Sequence, residues 1–133
     1  MKKLKFLALM MLLAANAWAA ESISLLKTNS SWNGQEYPAV NLEKPEVNVL
    51  KITIPAGEKL AWHKHPMINV AYMVSGELTV HTENNEVVTI KAGDVMPEVI
   101  NTWHYGENNG TEPVVLVVTY VGEKDAPLSI AKP

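Results

Sequence analysis

The 133-residue chain has no cysteine and no arginine, and only one phenylalanine. Without cysteine there are no disulfides, no thiolate metal ligands and no thiol nucleophile. Without arginine there is no planar two-pronged clamp, so a carboxylate or phosphate would have to be met by lysine, backbone amides or a metal. No Gly-x-Ser-x-Gly elbow occurs, which argues against a serine hydrolase. Long apolar runs are also missing. The run from Phe6 to Ala15 is well short of the roughly 20 residues a bilayer span requires.

That run has a different use. Lys2, Lys3 and Lys5 form a basic n-region ahead of it, and Ala17-Trp18-Ala19 offers a small-x-small cleavage site. Residues 1–19 are therefore expected to be a secretory signal peptide cleaved after Ala19, with the bacterial periplasm as destination and no stable membrane insertion afterwards. Loss of those three lysines takes the formal charge from −3 to −6, which argues against nucleic acid or anionic membranes as partners. The rest is the size of one domain with its own core.

Residues 20–44 read as an extended N-terminal arm with at most one edge strand, turning at Asn33-Gly34 and broken at Pro38; Trp32 and Tyr37 are expected to cover the outside of the domain. From Pro45 the pattern becomes short β-runs: VNVLKITI, Leu60 to His65, INVAYMV, ELTVHT, EVVTIK, Val95 to Ile100 and PVVLVVTYV. Gly, Pro or Asn clusters punctuate them, and no segment keeps a helical period. Residues 45–122 thus form one all-β domain, a sandwich or barrel. Residues 123–133 read as a loosely attached tail.

The chemistry concentrates in GEKLAWHKHPMINVAYMVSG, residues 57–76. In a strand, alternate side chains leave by opposite faces, so His63 and His65 point one way and Lys64 the other. His104, in TWHYGEN, lies beyond two further strands and can complete a set of imidazoles suited to a divalent transition metal. His81 alternates with Glu77 and Thr79, opposite Leu78 and Val80, and is expected to face solvent. The pattern does not fix the face of Glu98: it is read as an exposed glutamate, with a carboxylate beside the histidines as the alternative.

These two stretches resemble the cupin family. Its first motif is Gly, five residues, His-x-His, three or four residues, Glu, six residues, Gly; here Gly57, His63, His65 and Gly76 keep the spacing, and Asn69 replaces the Glu. Its second is Gly, five residues, Pro-x-Gly, two residues, His, three residues, Asn; Gly93, His104 and Asn108 match, while Val99 and Asn101 replace Pro and Gly, so a differently built turn is expected.

The resemblance implies a cupin jelly-roll β-barrel. It also implies a metal site (Fe, Mn, Zn, Ni or Cu) held by His63, His65 and His104, with Asn69 as a weak fourth ligand or a hydrogen-bond partner to the others. Two functional classes follow: a metal-dependent enzyme of oxygenase or related type acting on a small molecule, or a non-catalytic module that binds a sugar-like or other polar ligand. Val70, Tyr72 and Val74 form an apolar face opposite the cavity, and Val114 to Val118 is apolar on both faces. Such strands need cover, from the arm or from a second copy, and a homodimer is expected.

Overall fold

The computed structural model describes residues 20–133, so the expected signal peptide lies outside the described residues. The described residues form strands and no α-helix: β1 (Pro45–Ile54), β2 (His63–Lys64), β3 (Asn69–Ser75), β4 (Glu77–Thr82), β5 (Val87–Lys91), β6 (Val95–Pro97), β7 (His104–Glu107), β8 (Val114–Glu123) and β9 (Ile130–Ala131). They make two antiparallel sheets, ordered β1-β8-β3-β6 and β5-β4-β7-β2-β9. This is the expected jelly-roll barrel.

Period-two alternation decides what each strand buries. In β3, Asn69, Ala71 and Met73 point inward and Tyr72 and Val74 outward; in β8, Val114, Leu116, Val118 and Tyr120 are buried. These side chains meet Leu78, Val80 and Ile90 from the other sheet in one core. Asn108, the last residue of the second motif, is itself buried. Its amide nitrogen reaches the carbonyls of Ile54, Pro55 and Glu112 at 3.1, 3.1 and 2.8 Å, tying the loop before β8 to the end of β1.

Several local expectations are corrected. The strand expected over Leu60 to His65 contracts to His63–Lys64, preceded by an isolated bridge between Lys59 and Glu107. The run expected over Val95 to Ile100 leaves the ladder after Pro97. β7 has a glycine and two charged or polar residues in four, too little pattern to read; it is a strand because its backbone lies between β4 and β2. The tail is not loose: β9 pairs with β2, and Lys132 donates its N–H to the Trp62 carbonyl. The arm turns at Gly34 (φ 86°) but has only an isolated bridge, Ser30 to Glu36. Asn101 adopts φ 53°, a left-handed conformation that glycine takes freely and asparagine tolerates better than most residues.

Gly76 carries the chain from β3 to β4, between sheets, at φ 83°, and an added Cβ would lie 2.9 Å from Val114 Cγ2 and 3.0 Å from its Cα. Gly93, at φ 91°, has open space around it. Gly93→Ala should therefore cost about 1–2 kcal/mol for conformation alone. Gly76→Ala should cost clearly more because backbone must also move. Urea unfolding of both variants gives the comparison, and equal losses would show that the approach to Val114 relaxes freely.

Candidate metal centre

β2 and β7 bring the three histidines together. His63 and His104 are direct partners in the ladder, and His65 follows His63 on the same face. Ring centroids lie 5.0 Å apart for His63 and His65, 4.5 Å for His63 and His104, and 5.0 Å for His65 and His104. One ring nitrogen from each falls within 4.8 Å of the others. His81 is elsewhere: it stacks on Tyr105 on the outer face and sits 2.8 Å from Glu107, as its alternation foretold.

The other ring nitrogens define the tautomers. Nδ1 of His63 lies 2.8 Å from the Ala61 carbonyl, that of His65 2.8 Å from the Leu128 carbonyl, and that of His104 2.9 Å from the Thr102 carbonyl. A carbonyl only accepts, so each Nδ1 carries a hydrogen and donates it. In a neutral ring the lone pair is then on Nε2. Metal-binding histidines are commonly oriented in this way.

Glu98 is the principal correction. It is 8% exposed, not a surface residue, and its Oε2 lies 3.0 Å from His65 Nε2. It sits in the apolar run Val95-Met96-Pro97-Glu98-Val99-Ile100, of which all but Val95 are buried. Its place inside an otherwise apolar run, two residues after inward-facing Met96, is the signal that could have found it. The loop is clamped from both sides: Glu98 donates its backbone N–H to the Asn69 carbonyl, while the arm's Tyr37 hydroxyl donates to the Glu98 carbonyl and the backbone N–H of Trp32 to the Pro97 carbonyl. Tyr37 and Trp32 thus hold the loop in place as well as covering the barrel.

Electrostatics separate the rings. Burial lowers the pKa of His63, and it lowers that of His104 to about 4, so both are neutral at pH 7. For His65 burial also disfavours charge, but the hydrogen bond and charge of Glu98 outweigh it and raise the pKa. Burial likewise opposes ionisation of Glu98, and the His65 hydrogen bond together with the neighbouring imidazoles overcomes it, holding the carboxyl below its usual range. If His65 is neutral, its Nε2 has no hydrogen to give, and Glu98 Oε2 is then a buried acceptor without a donor. In that state the set is short of a positive charge, which a proton on His65 supplies in the metal-free protein. A divalent ion would answer that shortage, and the donor set of imidazole nitrogens and one carboxylate suits a transition metal.

Asn69 is 1% exposed, with its amide nitrogen 3.4 Å from the Met67 carbonyl and its Oδ1 unpartnered. It is not among the residues lining the cavity of about 60 Å³ beside the imidazoles, whereas Glu98 is. The tail's contribution through Leu128 was unforeseen; a backbone carbonyl leaves no trace in residue type.

The family model of the Cupin domain matches residues 50–120, more than half the chain, and the chain belongs to the cupin family. Among solved structures it is similar to a double-stranded β-helix protein from Klebsiella pneumoniae (25% identity, covering 73% of this chain and 90% of that one, TM-score 0.54). It is also similar to Bacillus subtilis oxalate decarboxylase, a protein with Mn(II) centres (27%, 64% and 23%, 0.52), and to the DMSP lyase DddQ of Ruegeria pomeroyi (17%, 65% and 43%, 0.57). The chain spans less than half the length of the DMSP lyases it matches. No curated protein matches it.

The pairing of His65 with Glu98 has a measurable consequence. Because Glu98 is what raises His65, Glu98→Gln should move the His65 titration to lower pH. Following the imidazole ring protons by NMR checks this in metal-free protein, and an unmoved His65 would show that the carboxylate is screened from the ring.

Proposed function

We propose that this cupin binds a divalent transition metal (Fe, Mn, Zn, Ni or Cu) through Nε2 of His63, His65 and His104, and acts as a metal-dependent enzyme on a small molecule. Glu98, not Asn69, supplies the oxygen donor of the set. The observation that carries the reading is the convergence of three imidazoles, each giving its Nδ1–H to a backbone carbonyl, with a buried carboxylate 3.0 Å from His65 Nε2. The Mn(II) centres of the B. subtilis neighbour support it. When bound, the metal would supply Lewis-acid or redox chemistry. The protein's own part is to keep the imidazoles neutral and oriented, to hold a carboxylate against them, and to exclude water with apolar walls. We also propose export to the periplasm, on the strength of Lys2, Lys3, Lys5 and the Ala17-Trp18-Ala19 site.

A non-catalytic module with a degenerate site is the second reading, and Asn69 in the family's Glu position is what favours it. Burial of a replacement carboxylate beside the same histidines weighs against degeneracy, since a buried charge is costly unless it is compensated. Metal content of protein purified from its native compartment tests the reading. A stoichiometric transition metal is expected. His63→Ala with His65→Ala should abolish retention, His81→Ala should leave it intact, and Glu98→Gln should weaken it; equal losses at His81 would defeat the assignment. Removing residues 128–133 takes away the acceptor for His65 Nδ1 and should cost about 10–100-fold in affinity.

A second copy of the chain is the proposed partner on the outer face of the β1-β8-β3-β6 sheet. Val47, Val49, Tyr72, Val74 and Val121 stand between 41% and 64% exposed across three adjacent strands, too contiguous for scattered surface residues. The arm that might have covered them is engaged with Pro97 and Glu98 instead. Light scattering at micromolar concentration should give the mass of a dimer, and Tyr72→Glu should shift it toward one chain. A single-chain mass unaffected by that substitution would exclude this interface.

A further inference from the structure

The barrel mouth determines what can reach the candidate metal centre. It is a cavity of about 400 Å³ in which Leu50, Ile52, Leu60, Trp62 and Leu128 surround His63 and His65; its hydroxyls come from Ser129 and Tyr120. Among the described residues, no lysine and no carboxylate lines it. Behind the imidazoles, the cavity of about 60 Å³ is walled mainly by Ile54, Leu78, Val80, Leu116 and Val118. It is well below the roughly 150 Å³ that admits benzene, so the body of any larger molecule has to stay in the mouth.

The nearby cations are turned away from this space. Lys51 lies between the mouth residues Leu50 and Ile52, and Lys64 between His63 and His65, so alternation sends both to the outer faces. Lys64 Nζ rests 4.7 Å from the Trp103 ring centroid, and Lys59 Nζ 4.1 Å from that of Tyr105. Lys132 Nζ lies 5.2 Å from the Trp62 ring centroid and 3.7 Å from Glu83. Lys59 and Lys64 are thus placed over Tyr105 and Trp103, rings that do not line the mouth, while Lys132, beside the mouth residue Trp62, is paired with Glu83. The chain has no arginine to take their place.

We propose that the substrate is a small molecule with a single metal-seeking group and an uncharged, largely apolar body. The inference rests on the metal reading above and narrows it. A dicarboxylate too long to place both groups on one ion, or a phosphorylated sugar, would have to leave a second charge against Leu50, Ile52 and Leu128, with no cationic side chain among the described residues that line the cavity. Desolvating an unpaired charge costs more than such walls return. An alkyl or aromatic body gains from the same surfaces.

Two ligands with one zinc-binding head and equal chain length test this: butyrohydroxamate, ending in a methyl group, and succinic monohydroxamate, ending in a carboxylate. Both are titrated by calorimetry into the full chain loaded with Zn²⁺, after its zinc content has been measured. The methyl-ended compound should bind at least about ten-fold more tightly. Leu50→Lys, at a position already 40% exposed, should shrink or reverse that preference; if this variant does not fold, Ser129→Lys, at an exposed position on the same rim, takes its place. Equal or tighter binding of the carboxylate-ended compound to the unsubstituted protein overturns the inference, as does a preference that a rim lysine leaves unchanged. Protein that takes up no zinc overturns the metal reading, and the inference with it. Zinc-loaded protein with the wrong preference overturns the inference alone.

Discussion

Three electron-rich imidazole nitrogens lie within 4.8 Å of one another, with a carboxylate oxygen 3.0 Å from that of His65; His65, His104 and Glu98 are buried and His63 partly so. With the imidazoles neutral and Glu98 ionised they have no hydrogen to share, because each Nδ1–H is already given to a backbone carbonyl. A protein interior tolerates such a set only with a positive charge among its members: a proton on His65 or a metal ion. Much of the surrounding structure serves to keep that charge-seeking arrangement in place.

The supports come from far along the chain. Ala61 and Thr102, each two residues before the ring it holds, orient His63 and His104 locally. His65 depends on Leu128, 63 residues away, and Glu98 is fixed by Tyr37 from the arm and Asn69 from β3. The arm and tail, which look like trimmings on a barrel, are therefore part of the site. Asn101 adds another tie: its N–H reaches the His65 carbonyl at 2.8 Å, and the left-handed turn that permits this is one that asparagine tolerates better than most residues.

The two outer faces of the barrel differ in kind. That of the β1-β8-β3-β6 sheet presents valines and Tyr72 with little charge among them. That of the other sheet carries Trp62, Trp103, Tyr105 and His81 with lysines over the rings. Cation–π contacts occupy ring surface that would otherwise be open to water. The second face thus has its own cover, whereas the apolar residues of the first stay exposed among the described residues.

The sequence by itself determined the all-β class, the family, the inward face of β3 and the three histidines. Each follows from a local rule: strand alternation puts His63 and His65 on one side, and motif spacing adds His104. It also separated His81 from the site, since period two places it opposite Leu78 and Val80. Only the tertiary structure decided that Glu98 is buried against His65 where Asn69 had lost the carboxylate, that β7 is a strand, and that the tail closes the sheet. In these cases the deciding partner lies many residues away or is a backbone group common to all residues. Alternation and spacing are carried by neighbouring side chains, but the location of a buried charge's partner is set by how separate strands pack.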